Sequence, residues 1–420
     1  MYRLLLFLGL AGLWLPAWGQ PYTLRQCHEA ALAQSPLRRQ QDLLATRAEL
    51  QAHNLRSQWL PLLSVNGQLT YQSDVITFPR LGTVEFPEIP QTQYRATVDA
   101  SQLLYDAGGI RLAREQTRLE AATGSQEIEV QLNQLRSTVN DLYFGVLLRE
   151  RQAAVLSSIQ AELAERRRSI ASGVQNGVLL PSVLDGFDKQ AVELAQQLAQ
   201  SAADQAALRA MLVAWTGIEA LTDAPLEVPA DLPAWTGDAT GQRPEYRLWA
   251  LQRQQIDLQQ QLLKGRLLPR VSAFGQGGLG QPNPFNFLET NLDGFYLIGL
   301  RLQWAPWDWG RTRRDQEMLA LQGQALEVKQ AQFEQSLRAL RARDHAQLDA
   351  LDELIAQDSQ MLALQARILR QAQAQFEGGV ITAAEYLTEF NTHGRMRLQQ
   401  EIHRLQRVQA QVNLLTIDGF

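Results

Sequence analysis

Alternation of apolar and polar residues starts at Leu62 and continues to Gln72. One set of alternate positions is apolar or small, and the other is polar: Leu63, Val65, Gly67, Leu69 and Tyr71 against Ser64, Asn66, Gln68, Thr70 and Gln72. A period of two is typical of a strand with one apolar and one polar face. Because the surrounding pattern is helical, this strand indicates the wall of a membrane barrel, with lipid on one side and a watery lumen on the other.

Three further stretches show the same two-faced pattern. The second alternates Tyr94, Ala96, Val98 and Ala100 with Arg95, Thr97, Asp99 and Ser101. The third and fourth have the apolar sets Val271, Ala273, Gly275 and Leu279, and Tyr296, Ile298, Leu300, Leu302 and Trp304. The residues expected to face the lumen are Asn66, Gln68, Asp99, Arg301 and Gln303.

Between the strand pairs the period changes to that of helices. After Asp106, which is expected to cap it, one helical pattern continues to Ser172, on the order of 100 Å at 1.5 Å per residue. Its apolar residues step by four and three, as in a coiled-coil seam: Ile128, Leu132, Leu135, Val139, Leu142 and Val146. A tip over 173–181 leads to a return helix, whose seam is expected at Leu194, Leu198, Leu208, Leu212 and Trp215.

The chain then repeats this order of elements. Pro36 and Pro61 are 25 residues apart, as are Pro244 and Pro269. The step from Asp106 to Gly177 is 71 residues, as is the step from Asp308 to Gly379. The predicted organisation is a signal peptide at 1–19, a first repeat at 20–217, a linker at 218–241 and a second repeat at 242–420.

Four strands are too few to close a barrel. An open sheet in lipid leaves the backbone groups at its edges without hydrogen bonds, which is costly in a membrane. We therefore expect several copies of the chain to share one barrel.

Composition narrows the function. The 420 residues are 45% apolar and carry a net charge of −5, which argues against a nucleic-acid partner. Residues 1–19 read as a secretory leader, and no later apolar run is long enough for a membrane helix. The lone Cys27 is interpreted as a buried small residue, and Arg166-Arg167-Arg168 as a solvated helix face.

No catalytic chemistry is expected. The five histidines have no partnered cysteine or glycine elbow, and there is no HExxH, CxxC or phosphate-binding glycine loop. We predict neither an enzyme nor a cofactor or metal site.

The ordered set of these motifs resembles the TolC-type outer membrane efflux proteins over the whole mature chain. The resemblance rests on Leu60-Pro61 and Leu268-Pro269, on the two Asp-x-Gly turns, and on the tips at 175–179 and 377–381. It implies a mainly α-helical chain that forms a homotrimer in the outer membrane of a Gram-negative bacterium. The trimer would have a twelve-stranded barrel and an α-helical tunnel in the periplasm. It also implies a periplasmic adaptor and an inner-membrane transporter as partners.

The tips are the first functional candidates: Gly177, Val178 and Leu179, and Gly379, Val380 and Ile381. These apolar residues could pack against their own hairpin, or, as the resemblance implies, meet the adaptor. Glu385 follows the second tip, where acidic residues narrow the entrance in the resembled family, and Asp185 is its counterpart. The position of a second family acid holds Thr388. Capping boxes starting at Thr382 and Ser182 would explain both acids without a gate.

Aromatic residues near the strands have two interpretations. Tyr71, Tyr94, Tyr296 and Trp304 could mark the membrane interface or pack in a core or between subunits, while Trp307 and Trp309 are expected to pack beside the strand-to-helix turn.

The predicted function is an exit duct that conducts small molecules passively within a tripartite efflux system. One alternative is the outlet of a type I protein secretion system. An alternative of another class is a periplasmic adaptor or coiled-coil scaffold without a pore.

Overall fold

The computed structural model describes residues 21–76, 87–230, 232, 243–286 and 289–418. The predicted signal peptide and parts of the predicted linker and strand-connecting loops lie outside these residues. The first series of elements is α1 (Leu24–Gln34), α2 (Pro36–Ser57), β1 (Leu62–Tyr71), β2 (Thr92–Tyr105), α3 (Gly109–Gln175) and α4 (Pro181–Thr216). The second is α5 (Pro244–Gly265), β3 (Arg270–Gln281), β4 (Asp293–Gln303), α6 (Arg311–Glu377) and α7 (Ala383–Ile417).

The order helix, strand, strand, long helix, helix occurs twice, with matching lengths. α2 and α5 each have 22 residues, and α3 and α6 each have 67. Pro36 and Pro244 are the first residues of α2 and α5, where the missing N–H of proline would have no helical partner. The predicted mainly helical fold with four strands is thus confirmed.

The Asp-x-Gly motifs make the turn from strand to long helix. Asp106 accepts hydrogen bonds from the backbone N–H of Gly108, at 2.9 Å, and of Ile110. Asp308 does the same in the second copy, with Gly310 at 3.0 Å and Thr312 at 2.7 Å. The glycine is required because φ is +82° at Gly108 and +74° at Gly310, a left-handed conformation. The predicted capping role of Asp106 is confirmed.

The chain divides into two compact units, each with residues from both copies of the repeat. The first takes the described residues of 1–38, 131–242 and 337–420, and the second those of 39–130 and 243–336. The long helices α3 and α6 contribute to both units.

The first unit is a packing of α1, α4, α7 and the later parts of α3 and α6. The predicted α3 seam is buried, with Val139 and Val146 fully enclosed. On α4, Leu194 and Leu212 are buried, but Trp215 is 47% exposed, so its assignment to the seam was wrong. An ideal helix drifts about 20° per heptad, and Thr216 takes the buried place instead.

The α6 seam differs from that of α3 because polar residues occupy some of its buried positions. Buried residues recur every seven positions: Leu337, Asp344, Leu351, Asp358, Gln365 and Ala372. Asp358 Oδ2 lies 2.7 Å from His403 Nδ1, and Gln365 donates to the Glu389 carboxylate at 2.7 Å. Polar pairs at core positions fix the register of a helical pair at a cost in stability.

The start of the predicted linker packs onto the first unit. Leu221 is fully buried in a short 3₁₀ helix, Glu219–Thr222. Arg209 donates to the carbonyls of Leu221 and Ala224 and pairs with Glu150. These hydrogen bonds of the buried guanidinium hold residues 221–224 against α4.

The second unit contains a four-stranded antiparallel sheet in the order β1-β2-β3-β4. α2 packs on α3, with Gln41 Nε2 donating to Glu129 at 2.8 Å. α5 packs on α6 through Trp249 and Phe333, whose ring centroids are 5.0 Å apart.

Cys27, in the first unit, is a buried free thiol, as predicted.

The turn at Asp106 gives a test of the fold. Asp106→Ala removes the acceptor for two N–H groups at the start of α3 and should lower the free energy of unfolding by about 1–2 kcal/mol. Asp106→Asn keeps one side-chain oxygen as an acceptor and should lose less. Urea denaturation of the detergent-solubilised protein measures both, and an alanine variant as stable as the wild type contradicts this role.

Candidate functional site

The register of the sheet brings all four predicted apolar sets onto one face. Val65 pairs with Val98, Val98 with Gly277, and Gly277 with Tyr296, so these positions form one row across the sheet. The large side chains of the row are exposed, Val65 by 81% and Tyr296 by 80%. The other large exposed residues of this apolar face are Leu63, Leu69, Tyr71, Tyr94, Leu279, Ile298, Leu300 and Leu302. A contiguous apolar surface of this extent marks a place where lipid or another protein binds.

The opposite face is polar over most of β1 and β2 and internally hydrogen-bonded, while Phe274, Phe295 and Leu297 of β3 and β4 also lie on it. Asn66 donates to Asp99 Oδ2 at 2.6 Å and Thr97 donates to the same oxygen at 2.9 Å. Gln276 donates to Asp99 Oδ1 at 2.5 Å, so one carboxylate links β1, β2 and β3. These bonds fix the polar side chains in place across three strands.

The five predicted lumen-facing residues lie on this polar face. Gln68 pairs with Arg95, Arg301 with Ser272, and Gln303 with Arg270, all in the rows that alternate with the apolar ones. The Arg301 guanidinium also lies 5.1 Å from the centre of the Phe274 ring.

The aromatic residues near the strands are not in a core within the chain. Tyr71 is 73% exposed and Trp304 57%. Trp307 and Trp309, which were expected to pack, are 73% and 81% exposed and contact each other edge-on, so that expectation was wrong. Trp309 is the middle residue of the second Asp-x-Gly turn, with φ at +55°. Its side chain is exposed.

Among the described residues, the two edges of the sheet are open, because β1 and β4 each pair on one side only. In the part of the chain that the structure describes, no helix is both long and apolar enough to cross a membrane.

The two helical tips, in the first unit, have the same construction. Gly177 and Gly379 have φ of +72° and +73°. The N–H of Val178 donates to the Gly173 carbonyl at 2.9 Å, and that of Val380 to the Gln375 carbonyl at 2.7 Å. These bonds satisfy the last carbonyls of α3 and α6, as glycine-terminated helices do.

At each tip, one apolar residue is exposed and another packs against its own hairpin, so each of the two interpretations holds for one residue. Val178 and Val380 are 77% and 74% exposed. Leu179 and Ile381 instead pack against a buried cluster beneath the tips, which we call the tip cluster: Leu156, Ile159, Leu163, Ile170, Phe187, Leu194, Ala372, Tyr386, Leu387 and Phe390. Only one apolar residue of each predicted trio therefore projects into solvent.

The carboxylate of Glu385 is engaged at the start of α7. It accepts hydrogen bonds from the backbone N–H of Thr382, at 2.7 Å, and from the Thr382 hydroxyl, at 2.9 Å. In return the Glu385 N–H donates to that hydroxyl, which completes the predicted capping box. The Thr382 backbone N–H and hydroxyl hold the pKa of Glu385 below its usual range.

Asp185 differs from Glu385, because the predicted box at Ser182 does not form. Pro181 is the first residue of α4 and Leu180 is its cap, without a side-chain hydrogen bond. Ser182 is therefore already inside the helix and cannot cap it. Asp185 is exposed, and among the described residues no hydrogen bond or ion pair of its carboxylate is seen. Capping was the wrong explanation for this acid.

Two members of the arginine run connect helices near the tips, which the sequence did not predict. Arg166 on α3 donates to Gln373 on α6 at 2.6 Å and lies 3.8 Å from Glu377. Arg167 pairs with Asp188 on α4. The partners of Arg166 and Arg167 are up to 207 residues away in the sequence, so no local sequence pattern indicates these contacts. Arg168 is 71% exposed and solvated, as expected.

Neither the protein-family models nor the curated proteins contain a match to this chain. Solved structures do match. CusC, whose crystal structures describe folding and transmembrane channel formation, aligns at a TM-score of 0.73 and 15% identity over 94% of this chain and 92% of that one. The CmeC outer membrane channel of Campylobacter jejuni aligns at 0.69 and 14%, over 94% and 85%. The outer membrane protein VceC of Vibrio cholerae aligns at 0.68 and 14%, over 94% and 96%.

The chain has the fold of these outer membrane channels. At identities of 14–15%, the likeness concerns the fold. The fold of the single chain implied by the TolC-type resemblance is thereby confirmed, and the twelve-stranded trimer stays a prediction.

The tips give a matched pair of variants. Leu179→Ala removes contacts with the tip cluster and should lower the free energy of unfolding by about 2 kcal/mol. Val178→Ala, at the exposed neighbouring position, should change it by less than about 0.5 kcal/mol. Urea denaturation in detergent measures both, and equal effects would show that the two side chains are not placed differently.

Proposed function

We propose that this protein is an outer-membrane exit channel of a tripartite efflux system. It would conduct small molecules passively from the periplasm to the exterior of a Gram-negative bacterium. The observation that carries the proposal is the open sheet, with one exposed apolar face and one face that contains a hydrogen-bonded polar cluster around Asp99. Such a sheet needs lipid on one side and water on the other, which is the situation of a pore wall.

Several copies are needed to complete the pore. In a membrane, the backbone groups at the free edges of β1 and β4 need hydrogen-bond partners, and no described strand of the same chain supplies them. β1 and β4 run in opposite directions, so β4 of one copy can pair antiparallel with β1 of the next. The TolC-type resemblance implies three copies, which would give twelve strands, and the likeness to the fold of outer membrane channels supports this number.

The long helices form the proposed periplasmic part. Three copies bring together the hairpins of α3 with α4 and of α6 with α7 as an α-helical tunnel. Its tips then present Val178 and Val380 to a periplasmic adaptor linked to an inner-membrane transporter. The exposure of these two valines at glycine turns supports the docking role.

Asp185 and Glu385 are proposed to line the periplasmic entrance and to hinder passage in the closed state. Both acids lie near a contact between α4 and α7, because a Cβ atom at Gly186 would be 3.7 Å from Leu387 Cδ1. Asp185 is the stronger candidate for this role, because no hydrogen bond of its carboxylate is seen among the described residues. The carboxylate of Glu385 also caps the start of α7. Opening would be a population shift favoured by whatever binds the open tips.

The outlet of a type I protein secretion system would use the same wall, and the chain's partners decide between the two. The exposed apolar sheet face, with side chains up to 81% exposed, favours the channel over a pore-free adaptor or scaffold, because such a face needs contact with lipid or another protein.

Conductance tests the function. The mature protein, purified in detergent, should have the mass of a trimer and should produce discrete single-channel currents after insertion into planar bilayers. Boiled, unfolded protein is the control. A monomer that stays soluble without detergent and gives no current would reject the channel.

A second measurement tests the entrance. Asp185→Asn removes a charge without changing the size of the side chain and should raise the single-channel conductance of the closed state. Glu385→Gln should have a smaller effect on conductance, because this carboxylate is already bound to Thr382. Asp204→Asn, a distant exchange on the same helix, is the control, and identical conductances for the wild type and the Asp185 variant would remove Asp185 from the gate.

A further inference from the structure

In the second unit, α2 and the first part of α6 each have an apolar face that no other described residue covers. On α2, Gln41 and Leu44 face α3, where Leu44 lies against Gly124. Leu43 and Leu50 are 61% and 63% exposed. They lie on the opposite side of α2, because each residue turns a helix by about 100°.

The first part of α6 has the same arrangement. Its inner face is formed by Thr312, Leu319 and Leu326, all buried, and by Phe333 against α5. Two residues after each of the leucines, about 200° around the helix, lie Leu321 and Val328, which are 62% and 66% exposed. The complete outer stripe is Met318, Leu321, Ala325 and Val328, with steps of three, four and three. These steps are those of a coiled-coil seam.

The proposed pairing of β4 with β1 of the next copy determines which helices become neighbours. α2 leads directly into β1, and α6 follows directly after β4. If β4 of one copy pairs with β1 of the next, α6 of the first copy lies beside α2 of the second. The two helices are then antiparallel, because one enters the sheet and the other leaves it.

We propose that α2 and α6 of neighbouring copies form an antiparallel heptad seam, an inference that rests on the shared barrel proposed above. Its register follows from the ends nearest the sheet, Ser57 of α2 and Arg311 of α6. Seven residues from these ends lie Leu50 and Met318, and fourteen residues from them lie Leu43 and Ala325. Leu50 thus packs between Met318 and Leu321, and Leu43 packs between Ala325 and Val328 of the next copy.

Disulfide cross-linking tests this register. The pair Leu50→Cys with Met318→Cys is placed on one chain in a Cys27→Ala background, since the native thiol is buried. Leu43→Cys with Ala325→Cys is a second in-register pair. Leu43→Cys with Met318→Cys is the matched control, offset by seven residues or about 10 Å.

Mild oxidation in membranes should join neighbouring chains in both in-register pairs, giving bands of two and three chain masses that disappear on reduction. The offset pair should remain at one chain mass. An oligomeric, conducting protein whose in-register pairs stay unlinked, or whose offset pair links equally well, overturns the seam but leaves the channel standing. A wild type that is monomeric in detergent and gives no current overturns both.

Discussion

The rest of the structure depends on the register of one sheet. Four strands with a period of two keep one register around the apolar row through Val65, Val98 and Tyr296, so this row stays on one face. A one-residue shift occurs in the β2–β3 pairing, but it lies between Leu103 and Tyr105, at the end of β2. A slip of one residue in any pair would mix the faces. The Asp99 carboxylate, bound by Asn66 and Gln276, ties three strands together on the polar side. The outcome is a sheet whose two edge strands each lack a neighbour on one side among the described residues. The proposed sharing of one barrel by several copies starts from these two edges.

Much of this could be predicted from the sequence because the causes are local. Alternation determines strand faces, and the Asp-x-Gly turn needs a residue that tolerates positive φ at Gly108 and Gly310. Equal spacing of prolines and tips in the two halves predicted long helices, which the structure confirms at 67 residues each. The observed bounds of α3, Gly109–Gln175, differ from the predicted ones by three residues at each end.

The parts that could not be predicted depend on tertiary contacts or on competition between local signals. Ser182 had the sequence of a capping box, but Pro181 starts the helix one residue earlier and leaves Asp185 uncapped. Val178 and Leu179 are both apolar, and only the tip cluster distinguishes the buried one from the exposed one. Arg166 and its partner on α6 are 207 residues apart in the sequence, and no local pattern predicts their contact.

The most direct measurement is the environment of successive residues along β1 in a lipid bilayer. Spin labels placed singly at residues 63–66 can be probed with oxygen, which concentrates in lipid, and with a water-soluble nickel chelate. The account predicts alternation, with labels at Leu63 and Val65 relaxed by oxygen and labels at Ser64 and Asn66 relaxed by the chelate. If all four labels respond to the chelate alone, or if none alternates, the sheet does not separate lipid from water and the account fails.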